Sequence, residues 1–357
     1  MERWDQLNKF FNRTGTILTF GLNALNGRKL VDEDLYVGDW DPTNAHDLIN
    51  YTLSKGYKVE SWELGNELSA EGVSGRVEGT QYGKDMIVLK KIINKLYKEY
   101  NKTSEKPKLM APGGFFNAKW FADMFKASGP GVVDVATHHN YHLGAGVDPT
   151  LFYKMQDPYT LSTIAQTYAD VEQTIQNYGP WASAWVGESG GAYNSGGRIV
   201  SHAFVNGFCA LLFHRLMGTG VLKTSHNGSP FLRAYTHCSR DKAGVTMLLI
   251  NLSNTTGVDI KVASDMNLYP PRLAKYAEMS EMVTGEREEY HLTPMNGDLK
   301  SPFMLLNGVP LNITKDGEIP EMYPFIADAS APMHIAPSSI AFIKLKELKA
   351  PACDADS

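Results

Sequence analysis

Two stretches of this chain carry an acid where a strand-like apolar run stops. In SWELGNELS, residues 61–69, Glu67 follows Asn66; in AWVGES, residues 184–189, Glu188 sits next to the end. Two carboxyl groups that meet across one sugar are the minimal equipment for glycoside hydrolysis. One protonates the leaving oxygen while the other attacks the anomeric carbon or activates water. Taken singly, each glutamate is equally at home as a helix cap or as half of a salt bridge. The pair acquires chemical meaning only if a larger architecture brings two distant strand ends together.

The elements needed for that are present. From residue 1 to about 217, short apolar runs alternate with longer amphipathic ones, the pattern of βα units around a parallel sheet. Strands are expected at TILTFGL (16–22), KVESWELG (58–65), KLMAPGG (108–114), VVDVATHHNY (132–141) and AWVGES. The clearest helix is GKDMIVLKKIINKLYKEY (83–100), with Ile87, Leu89, Ile93, Leu96 and Tyr100 on one stripe. Catalytic groups converge at the C-terminal ends of parallel strands. Four of the five candidates run into polar ends there: Asn23, Asn66 with Glu67, the group His138, His139 and Tyr141, and Glu188. His138 and His139 are adjacent, so they face opposite sides of a strand and only one can reach a cavity. A strand histidine is often a core residue instead. Glu63 shares the phase of Glu67 but lies before the strand end, and is read as a structural or supporting group.

After residue 218 the pattern changes to strands and turns, LRAYTHCS, GVTMLLINLS, EEYHLTP, PFMLLNGVPL and SIAFIKLKEL, which describes an antiparallel β-sandwich at 218–357. The expected fold is therefore α/β: a (β/α)8 barrel at 1–217, incomplete because five strands rather than eight are visible, followed by the sandwich.

Composition narrows the function classes. The chain has 357 residues, 43% of them hydrophobic, and a net charge of −5, which offers no electrostatic case for a nucleic-acid partner. No apolar run reaches the roughly 18 residues of a membrane span. The first residues, MERWDQLNKFF, lack the pattern of a secretion signal, whereas Asn-X-Ser/Thr acceptors recur at Asn12, Asn50, Asn101, Asn227, Asn251, Asn254 and Asn312. Cys238 and Cys353 bracket the C-terminal region and are expected to form a disulfide, with two buried free thiols as the alternative. Cys209 stands apart. Nucleotide-binding glycine patterns and metal-ligand spacings are absent from the sequence, so neither cofactor nor metal is expected.

WELGNE and WVGESGGAYNSGG resemble the acid/base and nucleophile motifs of glycoside hydrolase family 79, the heparanases and plant heparanase-like β-glucuronidases. The resemblance extends through THHNYHLG, HRLMGTGVL, AGVTMLLINLSN and EEYHLTP to nearly the whole chain. It implies a retaining mechanism, with Glu67 as acid/base, Glu188 as nucleophile, Asn66 on the sugar 2-hydroxyl, and His139 or His138 and Tyr141 contacting substrate or nucleophile. Glucuronides are the implied substrates, either small or in glycans of arabinogalactan or glycosaminoglycan type, in a secreted, lysosomal or vacuolar setting or at the periphery of a membrane.

Against that pattern, two barrel strands and a leader are expected upstream of Met1. SHAFVNGF passes directly into CALLFHRLMGTGVL, where an eighth strand and a carboxylate-binding loop are expected. A completing chain is one way to fill such gaps. A catalytically silent, carbohydrate-binding or shortened form of the scaffold is the alternative reading.

Overall fold

The computed structural model describes the chain except residues 70, 72, 74, 199, 207–209, 242–243, 264–282, 349 and 355–357. Cys209 and the junction around it lie outside the described residues. The chain divides into two compact units, one of residues 1–142 and 163–190, the other of 143–162 and 191–357. The expectation placed a single boundary at 217. Here the segments 143–162 and 191–217 group with the β-rich part instead.

The first unit is built on a five-stranded parallel sheet: β1 (Thr19–Leu22), β2 (Ser61–Leu64), β3 (Lys108–Phe115), β4 (Val135–Asn140) and β5 (Ser183–Ser189). All five expected strands are present, and they lie side by side in chain order. Helix α1 (Glu2–Thr14) precedes β1. Helices α2 (Thr43–Ser54), α3 (Gly79–Glu99), α4 (Ala118–Ser128) and α5 (Ile164–Tyr178) each return the chain to the next strand. A sheet that grows in one direction, one βα unit at a time, is the winding of a barrel; a doubly wound sheet reverses its order part way.

The helices pack on the sheet through one apolar face. On α3 that face is Tyr82, Met86, Leu89, Ile93, Leu96 and Tyr97, so it is centred slightly to one side of the stripe read from the sequence. Trp62, wholly buried on β2, stacks on Trp4 of α1 and meets Phe20 of β1 edge-on. A buried ion pair between Arg28 and Asp85 ties the loop after β1 to α3.

The second unit centres on an eight-stranded antiparallel sheet: β6 (Met217–Leu222), β7 (Leu232–Ser239), β8 (Val245–Asn251), β9 (Glu286–Pro294), β10 (Met304–Leu306), β11 (Val309–Pro310), β12 (Phe325–Asp328) and β13 (Ser339–Leu345). Its order is β11-β10-β9-β13-β8-β7-β6, with β12 also on β9. The two central strands, β8 and β13, are buried on both faces. Their period of two sends Leu248, Ile250, Ile340 and Phe342 into one core and Met247, Leu249, Ala341 and Ile343 into the other. Cys238 and Cys353 are bonded, with an S–S distance of 2.09 Å. Asn251, at the end of β8, is 2% exposed, and its amide nitrogen donates to the carbonyl oxygens of Thr256, Ile335 and Ala336 at 2.8, 3.3 and 3.0 Å.

Candidate active site

The site is assembled at the C-terminal ends of β2, β4 and β5. The chain leaves β2 through Gly65 and turns at Glu67, which has φ of 56°, a left-handed backbone that a side chain seldom adopts. Such a conformation costs on the order of 1–3 kcal/mol and persists only where its surroundings enforce it. Part of the enforcement is visible: the Glu67 amide donates to the Gly113 carbonyl at 2.7 Å. The room is supplied by Gly114, where an added Cβ would lie 3.0 Å from the Glu67 Cα and 2.7 Å from Ser69 Oγ.

Two bulges flank the site. Between β3 and β4, Pro112 pairs with Thr137 and Gly114 with His138, so Gly113 is the extra residue. Between β4 and β5, His138 pairs with Val186 but His139 with Glu188, and Gly187 is skipped. A bulge re-aims the side chains beyond it. Here the second one sets Glu188 beside His139.

His139 is the hub, and it is 3% exposed. Its Nδ1 lies 3.0 Å from Glu67 Oε1 and 3.6 Å from Glu188 Oε2. An ionised Glu67 accepts from Nδ1–H, whereas a protonated one donates to a bare nitrogen. Tyr141 donates its hydroxyl to Glu188 Oε2 at 2.9 Å, and that bond, with burial and the charge itself, raises the phenol above its ordinary range. Donor atoms of Glu67, His139 and Glu188 all lie within 4.8 Å of one another. At that separation, two negative carboxylates repel by about 3–4 kcal/mol for an effective dielectric near 20, and by less where water reaches them. The hydrogen bonds from His139 and Tyr141 offset this. Water does reach them, since the Glu67 side chain is 16% and the Glu188 side chain 44% exposed.

One imidazole and two carboxylates are also a donor set of the kind that holds a divalent ion. The sequence shows no ligand spacing because its three members come from three different strand ends.

The remaining expected residues separate. His138 points away from the carboxylates: its ring is 2% exposed, packs edge-on against Tyr168 of α5, and is kept below the usual histidine range by burial. Asn23 serves its own turn, its Oδ1 accepting from the Leu25 amide at 2.9 Å. Asn66 is exposed beside Glu67. Glu63 is largely buried behind the site, where burial raises its carboxyl above the ordinary range and the Thr137 hydroxyl pulls it back. Thr137 and Gly113 are absent from the sequence expectation. The glycine pair in KLMAPGG, unusual inside a strand, was the available signal.

Comparisons with known proteins bear on the family and on the fold. The model of glycosyl hydrolase family 79, N-terminal domain, matches residues 1–212. The chain is 44% identical to heparanase-like protein 2 of Arabidopsis thaliana over 410 residues, covering 99% of this chain and 76% of that protein. It is 31% identical to the baicalin-beta-D-glucuronidase of Scutellaria baicalensis, covering 97% and 72%. The alignment of 410 positions exceeds the 357 residues here, so the Arabidopsis relative carries segments that this chain does not. Among solved structures, the GH51 α-L-arabinofuranosidase from Thermotoga petrophila superposes with a TM-score of 0.62 over 95% of this chain and 78% of that one, at 13% identity, a likeness of fold. A parallel sheet wound as a barrel, an antiparallel sandwich, two facing carboxyl groups and a family match over more than half the length lead to one conclusion: the chain belongs to glycoside hydrolase family 79.

Proposed function

We propose that this chain is a retaining glycoside hydrolase that cleaves β-glucuronide linkages. The observation that carries the proposal is the approach of the Glu67 and Glu188 carboxyl groups to within 4.8 Å across His139. Retaining enzymes hold the pair at about 5–5.5 Å, whereas inverting ones leave about 6.5–9.5 Å for a water. In the first step a Glu188 oxygen bonds to the anomeric carbon, the bond to the leaving oxygen breaks, and the proton of Glu67 passes to that oxygen. In the second, Glu67 takes a proton from water, whose oxygen displaces Glu188 from the sugar. Tyr141 occupies Glu188 Oε2 and leaves Oε1 to attack. Asn66, exposed next to Glu67, is placed to meet the sugar 2-hydroxyl. The glucuronide preference rests on the relatives, one of which is named for that activity, and extends to glucuronic-acid-containing glycans or small glucuronides.

A second reading, a silent carbohydrate-binding form of the scaffold, is favoured by one feature: every residue of β5, the strand that carries Glu188, is exposed. A fluorogenic aryl β-glucuronide separates the two. Turnover by the native chain that falls on the order of 10⁴-fold in Glu188→Gln supports the enzyme. Binding of glucuronides with no turnover in either protein supports the silent form, and cleavage of glucosides or xylosides alone would move the specificity to a neutral sugar.

A further inference from the structure

Behind the catalytic pair, a third carboxyl group is linked to Glu67 through Thr137 and the two backbone groups of Gly113. Thr137 Oγ1 donates to Glu63 Oε1 at 2.5 Å and accepts from the Gly113 amide at 2.8 Å. The Gly113 carbonyl in turn accepts from the Glu67 amide at 2.7 Å. A hydroxyl has one proton to give, and with the Gly113 N–H already pointing at its oxygen, Thr137 turns that proton toward an ionised Glu63. Sterics reinforce the direction. Gly113 has φ of 58°, and a Cβ there would fall 2.7 Å from the Glu63 carboxyl carbon. The carboxyl group therefore lies directly against the bulge that turns the β3 backbone toward Glu67.

We propose that Glu63 is a positioning residue for Glu67, acting through Thr137 and the Gly113 bulge to hold the left-handed backbone that aims the acid/base at His139. It touches no substrate. Its effect is on where the Glu67 proton sits relative to the leaving oxygen. The proposal deepens the glycosidase reading given above and rests on it.

The test uses the full chain with Thr137→Val, which is nearly isosteric and removes only the relay hydroxyl, and Thr137→Ser, which restores it. Alkyl glucuronides need a proton to depart, whereas a 2,4-dinitrophenyl glucuronide does not. A misplacement of about an ångström costs on the order of 100-fold, so Thr137→Val should lose about that much kcat/KM on the alkyl substrate and only a few-fold on the dinitrophenyl one. Thr137→Ser should recover the native ratio, and Glu63→Leu, which takes away the acceptor for Thr137, should show the same selective loss on the alkyl substrate; a native ratio in Glu63→Leu would overturn the role given to Glu63. Equal losses on both substrates in Thr137→Val would mark a general structural defect and overturn the proposal.

If the native chain turns over neither substrate, the hydrolase reading fails separately, and the relay is judged from the ¹⁵N resonance of His139 Nδ1. A shift in Thr137→Val that Thr137→Ser reverses upholds the relay. An unmoved resonance refutes it.

Discussion

Strands β4 and β5 are neighbours in one sheet, β4 carrying His139 and β5 Glu188, but all six residues of β4 are buried and all seven of β5 are exposed. Burial on both faces leaves β4 little freedom, and the His139 ring is enclosed with it. Glu188 has no such enclosure. What fixes it is local: the bulge at Gly187 and the hydroxyl of Tyr141. The His139 side of the site is thus held by the fold and the Glu188 side by a few specific contacts. Damage to the two sides should look different, as lost stability on one and lost activity on the other.

The sharpest test of that contrast uses one substitution at two paired positions. Ala136 on β4 and Ala184 on β5 are register partners. Ala136→Lys places an unpaired charge in a fully buried position and should cost at least about 3–5 kcal/mol, enough to unfold the first unit. Ala184→Lys should change stability by about 0.5 kcal/mol or less. Urea melts of the two variants make the comparison, and equal losses would mean that β5 is enclosed after all.

A smaller effect is expected at Tyr141. Tyr141→Phe removes one hydrogen bond to a charged group, worth about 1.5–3 kcal/mol when buried and less at this half-exposed site. Turnover should therefore fall about tenfold with little change in melting temperature. A large stability loss with unchanged turnover would reverse the division between the two strands.

The smallest effect concerns His138, on the buried strand. Its folded-state pKa is depressed by burial. As pH falls below about 6.5, the unfolded chain takes up a proton that the folded chain refuses, and stability present at neutral pH is lost. His138→Phe should flatten the decline of melting temperature between about pH 7 and 5. A residual slope remains from His142, which is depressed for the same reason.

Much of this was legible in the residues themselves. The five strands announced themselves as apolar runs, and Glu67 and Glu188 as acids where those runs stop. What escaped was anything decided by one residue of register. His138 and His139 are indistinguishable in sequence; the fold assigns His139 to the site, next to the bulge at Gly187. Asn23 shares the strand-end location of Glu67 and Glu188, yet its side chain is used by the backbone two residues on, a local bond that competes invisibly with any ligand. Glu63 lies apart from the Glu67–Glu188 pair, hydrogen-bonded to Thr137. Its connection through Thr137 to Glu67 depends on a glycine bulge whose geometry no periodicity reveals. The segment 143–162, which follows β4 directly in the chain, joins the other unit, a long-range choice that local composition does not record.

The three carbonyl partners of Asn251 have one further consequence. That side chain heads an Asn-Leu-Ser acceptor triplet, yet the nitrogen that an oligosaccharide would take is already spent inside the sandwich. Attachment there and closure of the sandwich are mutually exclusive. In a compartment where nascent chains are modified, the strand would have to dock before the transferase arrived, and a polypeptide that lost this race could not complete its second unit.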